Sequence, residues 1–366
     1  MKKLFGLLIL LTLLTIPLAA AAESELSGKY MTIVDQKNRM ITQTGHEVVV
    51  GDEYLNSANK LYRVYRVKGD TAVAKLVRQR KMAQTFLGSL KSFVGQVADF
   101  IQTEVRGRGP VAIYHTHTDE SYQPSDGTSS RAAKGGIFDV GDSLTNAFEK
   151  IGVPAIHSRT PHDPHDAMAY DRSRRTAVQL LKNRPSTLLD VHRDATPPSA
   201  YLRRIGNQEL TMIQLVVGRQ NPNFQTTNNF ARQIKTTVDR KYPGLIKGIF
   251  YGRGKYNQDL GPRTMLLEFG SNTTTKPEAE RAASLFATAS QGVLYGNVGR
   301  TAMFGGSIRN LLWILIVLTV GAGIYIFLNR GGLKNLSKEY TGAMGEDRPE
   351  TEKEKEATES DQNGES

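Results

Sequence analysis

From Pro110 onward the chain alternates short apolar runs with longer stretches of helical period, and that rhythm leaves few architectures open. The runs predict strands at Val111–His115, Val153–His157, Thr187–His192, Met212–Val217, Leu245–Phe250 and Thr264–Phe269. Helices are predicted at Asp142–Ile151, Tyr170–Asn183, Asn223–Tyr242 and Lys276–Val293. Strands this apolar need cover on both sides. The expected fold class is therefore α/β, a mixed, mostly parallel sheet with helices on both faces. In such a sheet the carboxyl ends of the strands carry the chemistry.

Three of the strands end in the right residues for it. Val111-Ala112-Ile113 runs into Tyr114-His115-Thr116-His117-Thr118-Asp119-Glu120-Ser121-Tyr122. Leu188-Leu189 runs into Asp190-Val191-His192-Arg193-Asp194, and Met265-Leu266-Leu267 into Glu268-Phe269-Gly270. Histidine and carboxylate are the ligand set of a catalytic zinc, which takes about three protein ligands, leaves one position open and works with a carboxylate base outside that set. His115 and His192 are the first two candidate ligands. Glu120 is preferred as the third, with His117 and Asp119 close rivals and Asp139 and Asp142 weaker ones. Glu268, a carboxylate closing an apolar strand, is the candidate general base, because burial there would raise its pKa into a useful range.

The two ends of the chain point to export. Met1-Lys2-Lys3, the apolar run Leu4 to Leu18 and the small residues Ala19 to Ala22 read as a signal peptide over 1–22. Leu311 to Leu328 carries no charge and, with its flanks (309–330), reaches the roughly 20 residues that span a bilayer. Arg330, Lys334 and Lys338 follow it, while Arg309 alone lies just before it, which orients the C-terminus to the cytoplasm. The expectation is a single-pass cell-membrane protein, anchored near its C-terminus, with residues from about 23 to 308 on the extracytoplasmic side. The tail 331–366, rich in Glu, Lys, Ser and Thr towards its end, reads as disordered.

Composition narrows the chemistry further. The chain has 366 residues and no cysteine, so zinc–thiolate sites and disulfides are excluded, and any metal must be held by His and carboxylate. Its formal charge of +11 suits an anionic cell envelope. Nucleic acid, the usual alternative partner of a basic protein, is argued against by export.

Before the α/β part, residues 23–80 alternate apolar and polar between turn residues and predict a small antiparallel β unit in which nothing looks catalytic. Residues 81–105 have helical spacing and predict a linker helix, broken by Arg106-Gly107-Arg108-Gly109-Pro110. The catalytic domain is expected over 106–300. Within it, His157, His162 and His165 lie in a Pro-containing stretch read as a cleft wall rather than a second metal site. Arg172, Arg174 and Arg193 are candidate substrate-binding residues, guanidinium groups being suited to bidentate capture of carboxylates such as those of wall peptides. Gly252 to Leu260 reads as a Gly-rich rim loop without a phosphate-binding pattern.

The segments at 115–122, 190–195 and 267–270 together resemble the stage II sporulation protein P family of endospore-forming bacteria, a branch similar to zinc-dependent N-acetylmuramoyl-L-alanine amidases. The resemblance covers about residues 106 to 298. It implies Zn2+-dependent hydrolysis of the muramoyl–alanine amide in peptidoglycan, with endopeptidase action on cross-links as a further option. It also implies a membrane-held enzyme working in forespore engulfment, alongside a glycan-cleaving sporulation partner. The family's His-Glu-His set maps onto His115, Glu120 and His192, and its catalytic Glu onto Glu268. One departure is the C-terminal anchor, where the family usually has an N-terminal one. Readings with the same sheet but different ends are another envelope metallopeptidase and a non-catalytic wall-binding module.

Overall fold

The computed structural model of the chain describes residues 26, 29–77, 109–166 and 168–295, and positions 318, 319, 321 and 325. The expected signal segment, the linker helix and the C-terminal tail lie outside the described residues, as does nearly all of the expected membrane span. Among the described residues no helix is long and apolar enough to cross a membrane. The chain divides into two units, 1–298 and 299–366, and all the elements below belong to the first.

Five strands come first: β1 (Met31–Val34), β2 (Met40–Thr44), β3 (Glu53–Asn56), β4 (Leu61–Lys68) and β5 (Thr71–Leu76). Then follow β6 (Val111–Tyr114), α1 (Ile137–Lys150), β7 (Ala155–His157), α2 (Ala169–Leu181), β8 (Thr187–Asp194), β9 (Leu202–Ile205), β10 (Gln208–Thr211), β11 (Ile213–Gly218), α3 (Phe224–Lys241), β12 (Ile246–Gly252), β13 (Thr264–Ser271) and α4 (Lys276–Leu294). Eleven strands make one sheet in the order β2-β1-β5-β4-β3-β12-β11-β13-β8-β6-β7, and β9 and β10 form a separate hairpin.

The strands β7, β6, β8 and β13 run parallel, as expected. Direction then reverses: β11 lies antiparallel to β13 and parallel to β12. The cause is a connection without a crossover helix. Parallel neighbours need such a crossover, and between β8 and β11 the chain makes only a single 3-10 turn (Pro198–Ala200) and the β9–β10 hairpin, which turns at Gly206-Asn207. The N-terminal strands continue the same sheet, because β3 pairs antiparallel with β12 through Leu55↔Ile249 and Tyr54↔Phe250.

Side-chain alternation splits the core in two. Val111, Ile113, Leu189, Val191, Leu215 and Leu267 point to one face, where they pack with apolar residues of α1, α3 and α4. Ala112, Tyr114 and Leu188 point to the other face and meet Ala177 and Leu180 of α2. There too Val216, Phe250 and Leu266 meet Tyr170 of α2 and residues of the N-terminal strands such as Ile33, Val64 and Ala74. Residues at β8 positions 190, 192 and 194 belong to this second face.

Gly141 in α1 shows how closely the first face is packed beneath the strand ends. A Cβ there would lie 2.5 Å from His157 Nε2 and 2.7 Å from His115 Nε2. Ala in place of Gly normally stabilises a helix interior by about 0.8–1 kcal/mol. Here overpacking reverses the sign: Gly141→Ala is expected to destabilise the protein by about 1–3 kcal/mol, read as a lower thermal midpoint.

Candidate metal and catalytic site

The segment after β6 delivers its two histidines to opposite faces. In the register of β6 with β8, Tyr114 pairs with Asp190 and Ile113 with Leu189. His115 therefore falls on the α1 face, with Val191. Its Nδ1 bonds Val191 O at 2.7 Å, its Nε2 sits 2.7 Å from His157 Nε2, and its ring meets the edge of Phe138. Burial, helped by the adjacent His157, pushes its pKa down to about 3. The expected ligand His115 is thus turned away from His192. The strand ends at Tyr114, and the bend at Thr116 and His117 brings His117 across instead, with ring centroids 5.1 Å from His192.

His117, Glu120 and His192 form the group that could hold a metal ion, all three buried, with one candidate ligand atom of each within 4.8 Å of the others. Glu120 Oε1 lies 3.4 Å from His117 Nδ1 and 3.3 Å from His192 Nδ1, while its Oε2 accepts from the backbone N–H of Arg193 at 2.8 Å. On the far side of the His192 ring, Nε2 is 2.9 Å from Asp190 Oδ1. Asp190 itself is fixed by the N–H (2.8 Å) and Oγ1 (2.6 Å) of Thr116. Burial alone would raise the Glu120 pKa, but His192 and Arg193 outweigh it and hold the carboxyl well below its ordinary range. Burial works against charge on His192 as well, and there Asp190 and Glu120 win, holding the ring protonated well above its ordinary value.

This donor set fits a zinc ion. Two imidazoles and a carboxylate are zinc ligands, and a carboxylate behind a ligating ring fixes its tautomer, as Asp190 would for His192. The cation would take the position that the Nδ1 proton of His192 holds against Glu120. The rival ligands are occupied elsewhere. Asp119 takes Ser130 Oγ and His165, Asp139 takes Lys276, and Asp142 takes His157 and Arg159. His117→Ala is expected to take the protein from about one bound zinc per chain to none, while His115→Ala keeps it. Elemental analysis after desalting checks this, and equal loss in both variants would reinstate His115.

Glu268 lies mid-way along β13 in register with His192 on β8 and with Gln214 on β11. It is fully buried. Oε1 is 2.9 Å from Nε2 of His46, and Oε2 has no hydrogen-bond partner among the described residues. Burial lifts its pKa to about 7, against the pull of His46. His46 follows β2 in the segment that looked free of chemistry. It was illegible because its partner lies 222 positions away and only the closure of the sheet joins them.

The three arginines expected to bind substrate are engaged within the protein. Arg172 donates to His162 O and Pro164 O and pairs with Asp166, so it holds the 162–166 loop. Arg174 forms a two-pronged pair with Asp259, at 2.9 and 2.7 Å. Arg193 is buried, with Nη2 donating to Ser129 O and Nη1 3.8 Å from Glu120. Of the three, Arg174 meets a carboxylate in the two-pronged manner that its planar group favours. The histidines of the Pro-containing stretch also part company. His165 stacks on His117 with centroids 3.8 Å apart, and His162 bonds His115 O and Thr176 Oγ1.

Comparison with known proteins agrees with the motifs. The chain is 32% identical over 193 residues to stage II sporulation protein P of Bacillus subtilis (strain 168), a stretch that is 48% of each protein, so it spans about half the length of that relative. Among solved structures, it resembles an N-acetylmuramoyl-L-alanine amidase from Clostridium difficile 630 at 16% identity and a TM-score of 0.33. That match covers 51% of this chain and 96% of the other. A second is the CwlD amidase from Clostridioides difficile, solved in complex with the GerS lipoprotein, at 13% identity and a TM-score of 0.29, covering 50% and 98%. The family model for stage II sporulation protein P matches residues 28–290, which takes in the N-terminal strands as well as the sheet that carries the site. The chain belongs to the stage II sporulation protein P family.

Proposed function

We propose that this protein is a zinc-dependent peptidoglycan hydrolase of sporulation that cleaves the amide between N-acetylmuramic acid and L-alanine. The observation that carries the reading is the buried His117–Glu120–His192 group beside Glu268, whose strand is paired in register with that of His192. His117, Glu120 and His192 would hold the ion. When bound, zinc supplies Lewis acidity to the scissile carbonyl and acidifies water. The chain's own residues do the rest. Asp190 holds the proton on Nε2 of His192 and fixes the ring. Glu268 takes the proton of the attacking water and returns it to the leaving nitrogen, a role suited to a carboxyl whose pKa burial has lifted to about 7. Membrane anchoring by 309–330, with the site on the extracytoplasmic side, belongs to the same proposal, as does a glycan-cleaving partner that opens the strands for it.

The test incubates the full chain, in detergent, with purified peptidoglycan, with and without chelator, and identifies products by mass. Peptides with a free L-alanine amino terminus, lost on chelation and regained with zinc, are expected. Cleavage only within the peptides would move the reading to an endopeptidase. Binding without any cleavage would leave a wall-binding module.

A further inference from the structure

We infer that His46, carried by the N-terminal strands, is a positioning residue that fixes the carboxylate of Glu268 for proton transfer. The inference rests on the reading of Glu268 as the base. His46 Nε2 engages Oε1 at 2.9 Å and leaves Oε2 as the one oxygen without a hydrogen-bond partner among the described residues. One oxygen of the base is thus held and the other left for a proton, which a rotating carboxylate could not guarantee.

The imidazole sits on a rigid support. Its ring stacks on Phe250 of β12, with centroids 5.4 Å apart at 21°, and Tyr256 meets it at 6.1 Å and 80°. The backbone just before it is pinned to the sheet. The Gly45 N–H donates to Asp194 Oδ1 at 2.5 Å, and Lys247 Nζ donates to Gln43 O at 2.6 Å. Asp194, two residues beyond His192, is itself held by the Tyr201 hydroxyl at 2.7 Å. A side chain at 45 would meet Ala195 Cβ and Asp194 Oδ1, both at 2.9 Å, so glycine is needed for this close approach. A residue fastened at this many points is built to hold a partner still rather than to swing clear of it. The N-terminal strands thereby complete the site.

The test compares the full-length protein with His46→Leu, which fills the space without a donor, and His46→Gln, whose amide can still donate to Oε1. His46→Leu is expected to lower kcat about 100-fold with KM and bound zinc unchanged, and His46→Gln to recover most of the loss. A 13C carboxyl resonance of Glu268, identified by its absence in Glu268→Gln, should shift in His46→Leu and return in His46→Gln. If His46→Leu does not fold, His46→Asn, whose amide is too short to reach, should show the same loss. Wild-type kcat in a folded Leu or Asn variant would overturn the assignment, and a faster rate would make His46 a cover over the base. If the wild-type protein cleaves no peptidoglycan, the amidase reading falls, and the resonance alone decides whether His46 holds the carboxylate.

Discussion

Glu268→Gln should leave the fold and the bound metal intact and lower turnover by about 10²- to 10⁴-fold, the range that a positioned general base contributes. The substitution keeps the shape, and the amide oxygen can still accept from His46. What it removes is the proton acceptor. The same residue sets a pH dependence. Its folded-state pKa of about 7 lies above the ordinary value, so the base form grows in as pH rises through about 7, and wild-type turnover should rise with it. Stability runs the other way. A carboxyl with a raised folded pKa gives stability that is fully present below its unfolded pKa and lost as pH rises through the folded one. In chelator-treated protein, Glu268→Gln should therefore match the wild type near pH 4 and exceed it above pH 7. A shift of this size corresponds to on the order of 3 kcal/mol. Urea unfolding across that range and a pH–rate profile check both. Turnover retained in the variant would remove Glu268 as the base.

His192→Ala should be more damaging, because it removes one of the three proposed metal ligands and the charge that two buried carboxylates depend on. Asp190 lies on one side of the ring and Glu120 on the other, both buried. Removing the ring leaves them without their common partner, and breaking a buried pair in this way costs about 3–5 kcal/mol. Glu120 keeps the Arg193 N–H, and Asp190 keeps Thr116, so collapse is partial rather than complete. Zinc content and turnover should both fall to background. The sign with pH is the usual one for depressed carboxyls: the stabilisation is present above their unfolded pKa and lost as pH falls through the folded one. Much of that acid sensitivity should vanish in the variant. Stoichiometric zinc in folded His192→Ala would remove His192 from the ligand set.

The strands that build the site were legible because each is an unbroken apolar run. His192 lies towards the end of β8 and Glu120 in the segment after β6, as read from the sequence, whereas Glu268 sits mid-way along a β13 that runs on to Ser271. Choosing between His115 and His117 was not possible on spacing. It depends on where β6 stops and on the β6–β8 register, which sends His115 to α1 and lets the bend carry His117 to His192. The intramolecular partners of the arginines were hidden for a related reason. A guanidinium-rich helix start looks the same whether its acceptors are ligands or, like Asp259, lie far along the same chain. The reversal at β11 had a local sign, the Gly206-Asn207 pair, which suits a two-residue hairpin turn. The role of His46 had none, since neither its neighbours nor its strand pattern marks it.

The pairing of β3 with β12 also bears on when this protein can act. The site draws on His46, His117, His192 and Glu268, and its sheet inserts β11 and β12 between the first strands and the catalytic ones. Closing contacts this distant in sequence is the slow part of folding, since the loop entropy must be met before the pairing repays it. A chain emerging amino end first holds its His46 long before Glu268 exists to receive it. For the exported hydrolase proposed above, this order means that the site closes only after the strand carrying Glu268 has emerged and paired.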